Sequence, residues 1–126
     1  MKPHANPVTP EDAEKFAGYI AKWRRELNLM DWRIVRGERP AKGMMAEVSI
    51  TYPARLAQWR LGPHFCSDKV TDFTLEATAA HELLHVLLAD LVNAILEKAS
   101  DDVIEAAEHR IVNTLERLLV PPTNEA

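Results

Sequence analysis

Three features of the sequence predict an α+β domain: an amphipathic helical stripe near the start, two runs of period-two alternation in the middle, and a long apolar helical segment followed by a second, capped one. Thr9-Pro10-Glu11-Asp12 supplies a capping hydroxyl, a proline at the first helical position and acids in the first turn. Phe16, Ile20, Trp23, Leu27 and Met30 follow at three- and four-residue spacing, so a first helix buries that stripe. Trp32 to Arg36 is a short strand candidate. After Gly37 to Gly43, Ala46, Val48, Ile50 and Tyr52 alternate with Met45, Glu47, Ser49 and Thr51, the pattern of a half-buried strand. Pro53-Ala54 breaks the run, and Ala57, Trp59 and Leu61 then alternate with Leu56, Gln58 and Arg60 as far as Gly62-Pro63. A small, mostly antiparallel sheet of about three strands is expected.

From Thr71-Asp72 to about Ala99 the pattern is helical and apolar on nearly every side, which marks a helix buried by its neighbours. Ser100-Asp101-Asp102 is a second capping signal, with no calcium loop around it. Ile104, Ile111, Val112, Leu115, Leu118 and Leu119 form the stripe of a last helix, ended by Pro121-Pro122. One domain over residues 9–119 is expected, with tails at 1–8 and 120–126. A chain of 126 residues that is 47% hydrophobic can bury roughly two thirds of its unfolded surface around a single core.

Composition limits the chemistry. The net charge of -4 arises from 15 basic and 19 acidic residues mixed along the chain, with no Lys/Arg block to follow a phosphate backbone, so nucleic acid is not the expected partner. Met1 to Pro10 lacks the apolar core of a secretory signal, and no stretch approaches the 18 apolar residues of a membrane span. The single cysteine, Cys66, builds no disulfide framework and fits a reducing, cytoplasmic setting. It also excludes a thiolate zinc cluster, leaving any metal to His and carboxylate.

His81-Glu82-Leu83-Leu84-His85 lies inside the long apolar helix, so its two imidazoles stand one turn apart on one face and can reach a single ion. Glu82, next to the first ligand, is placed to take a proton from a metal-activated water rather than to share the ion. With the His and Glu content of this chain, a chance HExxH arises in roughly two such sequences in a hundred. Two histidines and a glutamate buried without partners would cost several kcal/mol. A catalytic zinc usually has three protein ligands and an open position. The last helix offers Glu105, Glu108 and His109. Glu108 falls four after Ile104 and seven before Leu115, inside the stripe, while Glu105 and His109 sit at its edge, so Glu108 is favoured as third ligand.

With His81, Glu82, His85 and Glu108 in these places, the chain resembles the zincin metallopeptidases. Within them it resembles the gluzincins, whose HExxH helix is followed by a separate helix carrying a glutamate ligand. The layout over about residues 9–119 is similar to minimal gluzincins and to small zincin-like proteins of phages and other mobile elements. The resemblance implies a Zn2+ cofactor, an active-site helix, a glutamate helix, and a sheet edge just before the active-site helix, at Ala57 to Leu61, to which an extended peptide adds as a further strand. The glycine and third histidine of the metzincin pattern are absent, since Val86 to Asp90 continues as apolar helix. Larger gluzincins also place a His or Tyr beyond the glutamate helix to stabilise the tetrahedral intermediate; here His109, Tyr52 and His64 stand as candidates.

The expected activity is zinc-dependent hydrolysis of a dedicated intracellular protein, with a repressor or the chain's own terminus as fitting targets. The alternative is a non-catalytic zincin-like module in which zinc ties two helices together and the surface binds a partner protein. Trp23, Trp32 and Trp59 are read as core and sheet-packing residues. Cys66 is read as inert and partly buried, with a latent ligand role as the alternative, and His4 as part of the tail.

Overall fold

The computed structural model describes residues 6–66, 68–96 and 98–122; the expectations for 1–5 and 123–126, His4 among them, lie outside these. Asn6–Pro7, assigned to the tail from the sequence, instead form a short strand (β1) whose partner lies much later in the chain. The helix α1 (Pro10–Glu26) starts on a reciprocal cap: the Asp12 N–H donates to Thr9 Oγ1 (3.1 Å), and the Thr9 N–H donates to Asp12 Oδ2 (2.9 Å). It buries Ala13, Phe16, Ile20 and Trp23. Met30, counted in the stripe from the sequence, is 55% exposed, because α1 ends at Glu26 and Asn28 turns the chain with a left-handed φ of 55°. Leu29, 3% exposed, faces inward in its place.

The strands β2 (Arg33–Arg36), β3 (Ala46–Thr51) and β4 (Leu56–Leu61) form a sheet in the order β2-β4-β3. The hairpin of β3 and β4 is antiparallel, with Val48 opposite Trp59 and Ile50 opposite Ala57. β2 and β4 are parallel, with Arg33 opposite Leu56. The sheet is therefore mixed, and β4 is its centre rather than its edge. The reason lies in the alternation of β4: Ala57, Trp59 and Leu61 are all buried, and a strand so covered belongs between neighbours. β5 (His64–Phe65) pairs with β1 to make a separate two-stranded sheet.

The helix α2 (Asp72–Leu87) opens on a second reciprocal cap, Thr71 with Thr74. It packs against α1 on one side and β3 on another. The expected continuous helix to Ala99 is broken at Leu88, and a short α3 (Ala89–Ile95) follows. Past Val86 the buried surface continues only at Ala89 among the described residues of α3; Leu91 is 54% exposed, and Asp90 is tied by its Oδ1 to the Arg55 guanidinium (3.0 Å). The last helix, α4 (Asp101–Leu119), is capped by Ser100 and packs on α2. Its buried stripe is narrower than expected: Ile104 and Val112 are buried, whereas Ile111, Leu118 and Leu119 are exposed. Val120, assigned to the C-terminal tail, joins the core. Among the described residues there are thus four helices and two small sheets, an α+β arrangement, and none of those helices is long and apolar enough to cross a membrane. Trp23, Trp32 and Trp59 all lie in the core, and the Trp23 indole N–H donates to Glu76 (2.9 Å).

One close approach fixes the entry to β3. The Gly62 N–H donates to the Met45 carbonyl (2.8 Å), and a Cβ on Gly62 would meet the Met44 carbonyl oxygen at 2.3 Å. Gly62→Ala is therefore expected to lower stability by about 2–3 kcal/mol, since backbone must move to accept the methyl. Urea unfolding of the variant checks this, and an unchanged midpoint would show that the approach is not maintained.

Candidate metal centre

The α2 helix sets His81 and His85 one turn apart with ring centroids 5.1 Å from each other, and α4 brings His109 to 5.0 Å from His85 and 6.0 Å from His81. One ring nitrogen from each of the three lies within 4.8 Å of the others, close enough for one ion to be held among them.

Glu108, favoured from the sequence as third ligand, lies beside this group and pairs with one of its rings. Its Oε2 accepts from His85 Nδ1 at 2.6 Å, and Glu116 Oε1 accepts from His81 Nδ1 at the same distance. Each carboxylate fixes a ring orientation and leaves Nε2 of that imidazole for another partner. Glu116 escaped the sequence reading, although the signal was present: Ile104, Glu108, Val112 and Glu116 recur every four residues and share the face that α4 turns to α2. His109, one residue further round the helix, is exposed on its ring's outer side yet reaches the other two rings.

The charge states follow from these neighbours. Burial pulls the His81 imidazole downward, but the carboxylates of Glu116 and Glu82 outweigh it and leave the ring above its ordinary value. His85 goes the other way: burial dominates, Glu108 opposes it, and His81 and His109 add repulsion, so this ring is held below its ordinary value and neutral. Glu82 is 8% exposed. Burial pushes its carboxyl up to about 7, with Glu47 and Glu116 adding to the rise and His81 opposing it.

A pH dependence follows for the metal-free protein. In the unfolded chain Glu82 ionises near its ordinary value, whereas in the fold it keeps its proton up to about 7, so the native state binds more protons between the two. Its contribution to stability is present at acid pH and is lost as pH rises through that window, by about 3 kcal/mol at most. Metal-free Glu82→Gln is therefore expected to gain stability over the wild type between pH 5 and pH 8 in paired urea titrations. A constant difference across that range would contradict the shift.

Two cavities meet at Glu82. One of about 480 Å³ runs toward Lys69 and Phe73, the other of about 630 Å³ runs toward α4, and both are lined by Met44, Ala46, His81 and Glu82. They form one cleft along β3, an edge strand of its sheet among the described residues. The Gly62–Met45 bond sets the phase of that strand: Met45, Glu47, Ser49 and Thr51 turn their main-chain groups toward β4, and Ala46, Val48 and Ile50 turn theirs to the open edge. The edge expected at Ala57 to Leu61 is thus in the middle of the sheet, and β3 takes its place.

Of the remaining candidates, Glu105 is exposed and lines the larger cavity. Tyr52 stands edge-on to Trp32 and pairs with Asp90 at the far turn, and His64 lies in β5; neither lines the cleft. Cys66 is exposed, not partly buried, because it follows the short β5 at the surface, and it is not among the three clustered donors. No protein-family model, curated protein or solved structure matches the chain.

Proposed function

We propose that this protein is a zinc-dependent peptidase in which His81, His85 and His109 hold the ion and Glu82 is the general base. The observation that supports it most is the buried Glu82 carboxylate, set beside three clustered imidazoles where the two cavities meet. The donor chemistry fits zinc: imidazole nitrogens, no thiolate, and a carboxylate on Nδ1 of two of the three rings. Zinc supplies Lewis-acid polarisation of a scissile carbonyl and makes water nucleophilic near neutral pH. Glu82 takes the proton of the attacking water and returns it to the leaving amine, a role suited to a carboxyl whose proton affinity is tuned toward neutrality. Glu108 and Glu116 keep the His85 and His81 rings oriented. This reading keeps the zincin resemblance and departs from the gluzincin pattern at one position, with His109 as the third donor and Glu108 behind it.

The open edge of β3 offers a peptide three residues with outward main-chain groups, Ala46, Val48 and Ile50, and pairing there carries an extended segment past Glu82. Val48→Pro removes one outward donor and no ladder bond, so it is expected to keep the fold and zinc and to lose about tenfold or more in kcat/KM. Ser49→Pro removes a bond to β4 and is expected to destabilise the sheet. Equal turnover in Val48→Pro and the wild type would place the substrate elsewhere.

The function itself is tested by incubating zinc-loaded protein with a peptide library and reading the products by mass spectrometry. Internal cleavage that stops on chelation and returns with added zinc is expected. A folded, zinc-loaded protein that cleaves nothing would leave the ion as a tie between α2 and α4 in a binding module.

A further inference from the structure

The two halves of the cleft differ in charge. The half toward α4 carries the carboxylates of Glu47, Asp101 and Glu105, beside Glu108, and among the described residues no lysine or arginine lines it. Its walls are aliphatic, with Val48, Ile50 and Leu96 among them. The half toward Phe73 is instead lined by Lys69 as well as by Asp68 and Glu116, with Phe73, Thr74, Ala77 and Thr78 between them. Of the four carboxylates, Glu108 is committed to His85, and Glu47 is 4.0 Å from Arg60, at the limit of an ion pair. Independently of these acids, Glu82 points to a ligand: it is more than nine-tenths buried, lines both halves, and accepts no hydrogen bond from any described residue.

We propose that the α4 half of the cleft is a specificity pocket for a lysine or arginine side chain of the substrate, making the protein selective for basic segments. This rests on the peptidase reading of the same site. A long basic side chain matches both features of the pocket, since its methylene stem packs on Val48, Ile50 and Leu96 while its charged head reaches the carboxylates at the mouth. A short apolar side chain leaves those carboxylates unpaired. The opposite half holds a cation of its own, Lys69, which competes with a basic side chain for its carboxylates.

The test compares three short fluorogenic peptides, identical except for Lys, Leu or Glu at the position that library cleavage places in the α4 half. Wild-type zinc-loaded protein is expected to favour Lys over Leu by about tenfold in kcat/KM, one ion-pair-sized step. In Glu47→Lys and Glu105→Lys, singly, the Lys-to-Leu ratio is expected to fall about tenfold. Cleavage with no Lys or Arg preference, or a ratio unchanged in both variants, overturns the proposal while leaving the peptidase reading in place. Binding of the same peptides to zinc-loaded Glu82→Gln, followed by fluorescence anisotropy, separates the two ideas. Tighter binding of the Lys peptide supports the pocket, and equal binding of all three overturns it.

Discussion

Glu82→Gln is expected to bind zinc as the wild type does and to hydrolyse peptide about 10²–10⁴-fold more slowly, the usual loss when a positioned proton-transfer group is removed. The amide is nearly the same size as the carboxyl, so the buried site beside His81 keeps its packing, and a neutral group there spares the metal-free fold the burial of a charge. What the amide cannot do is accept a proton from water. The two measurements, zinc per chain and kcat/KM, therefore move apart: the first stays near one, the second collapses. Glu82→Gln losing zinc as fully as a histidine variant would instead make Glu82 a ligand, and the division of roles between it and the imidazoles would fall.

The second large effect is expected at the three imidazoles. His81→Ala, His85→Ala and His109→Ala each remove one of three donors, and zinc bound by two imidazoles is weak enough to be lost on dialysis against a mild chelator. Glu108→Ala and Glu116→Ala leave the donors in place and free only their rings to turn, a change expected to weaken zinc about 10–100-fold. The order His109 far above Glu108 distinguishes the arrangement from the one the gluzincin resemblance implies. The reverse order would return the ion to His81, His85 and Glu108. Competition titration against a zinc-responsive dye gives both affinities on one scale.

How far the sequence carried this account depended on whether a signal was local. The caps at Thr9 and Ser100, the α1 stripe from Phe16 to Trp23 and the alternation of Ala57, Trp59 and Leu61 are set by nearest neighbours, and all appear as expected. The HExxH segment was legible for the same reason, because four residues of helix fix the relation of His81 to His85. Strand order was not. The alternations of β3 and β4 are similar in strength, and which of them is central depends on where β2 docks, a parallel pairing with no local signature. The break at Leu88 was hidden by leucines and valines on both sides of it, since periodicity does not distinguish a helix buried to its end from one that leaves the core after Ala89.

The third donor shows what phase alone does not decide. Placing Glu108 at the centre of the α4 stripe was a reading of phase, and the structure sets it partly buried between Ile104 and Val112. Phase says which residues face α2 but not which of its atoms they meet. Glu108 and Glu116 meet Nδ1 of the two histidines, and the neighbouring His109 leans across from the stripe's edge to join their rings.

A crystal structure of the zinc-loaded protein with anomalous data at the zinc edge tests the central claim most directly. The account predicts one ion per chain bonded to nitrogens of His81, His85 and His109, with Glu108 and Glu116 still on the Nδ1 atoms and the Glu82 carboxylate turned to the open side of the ion. An ion bonded to a Glu108 oxygen with His109 turned to solvent, or no ion at these residues, would contradict it.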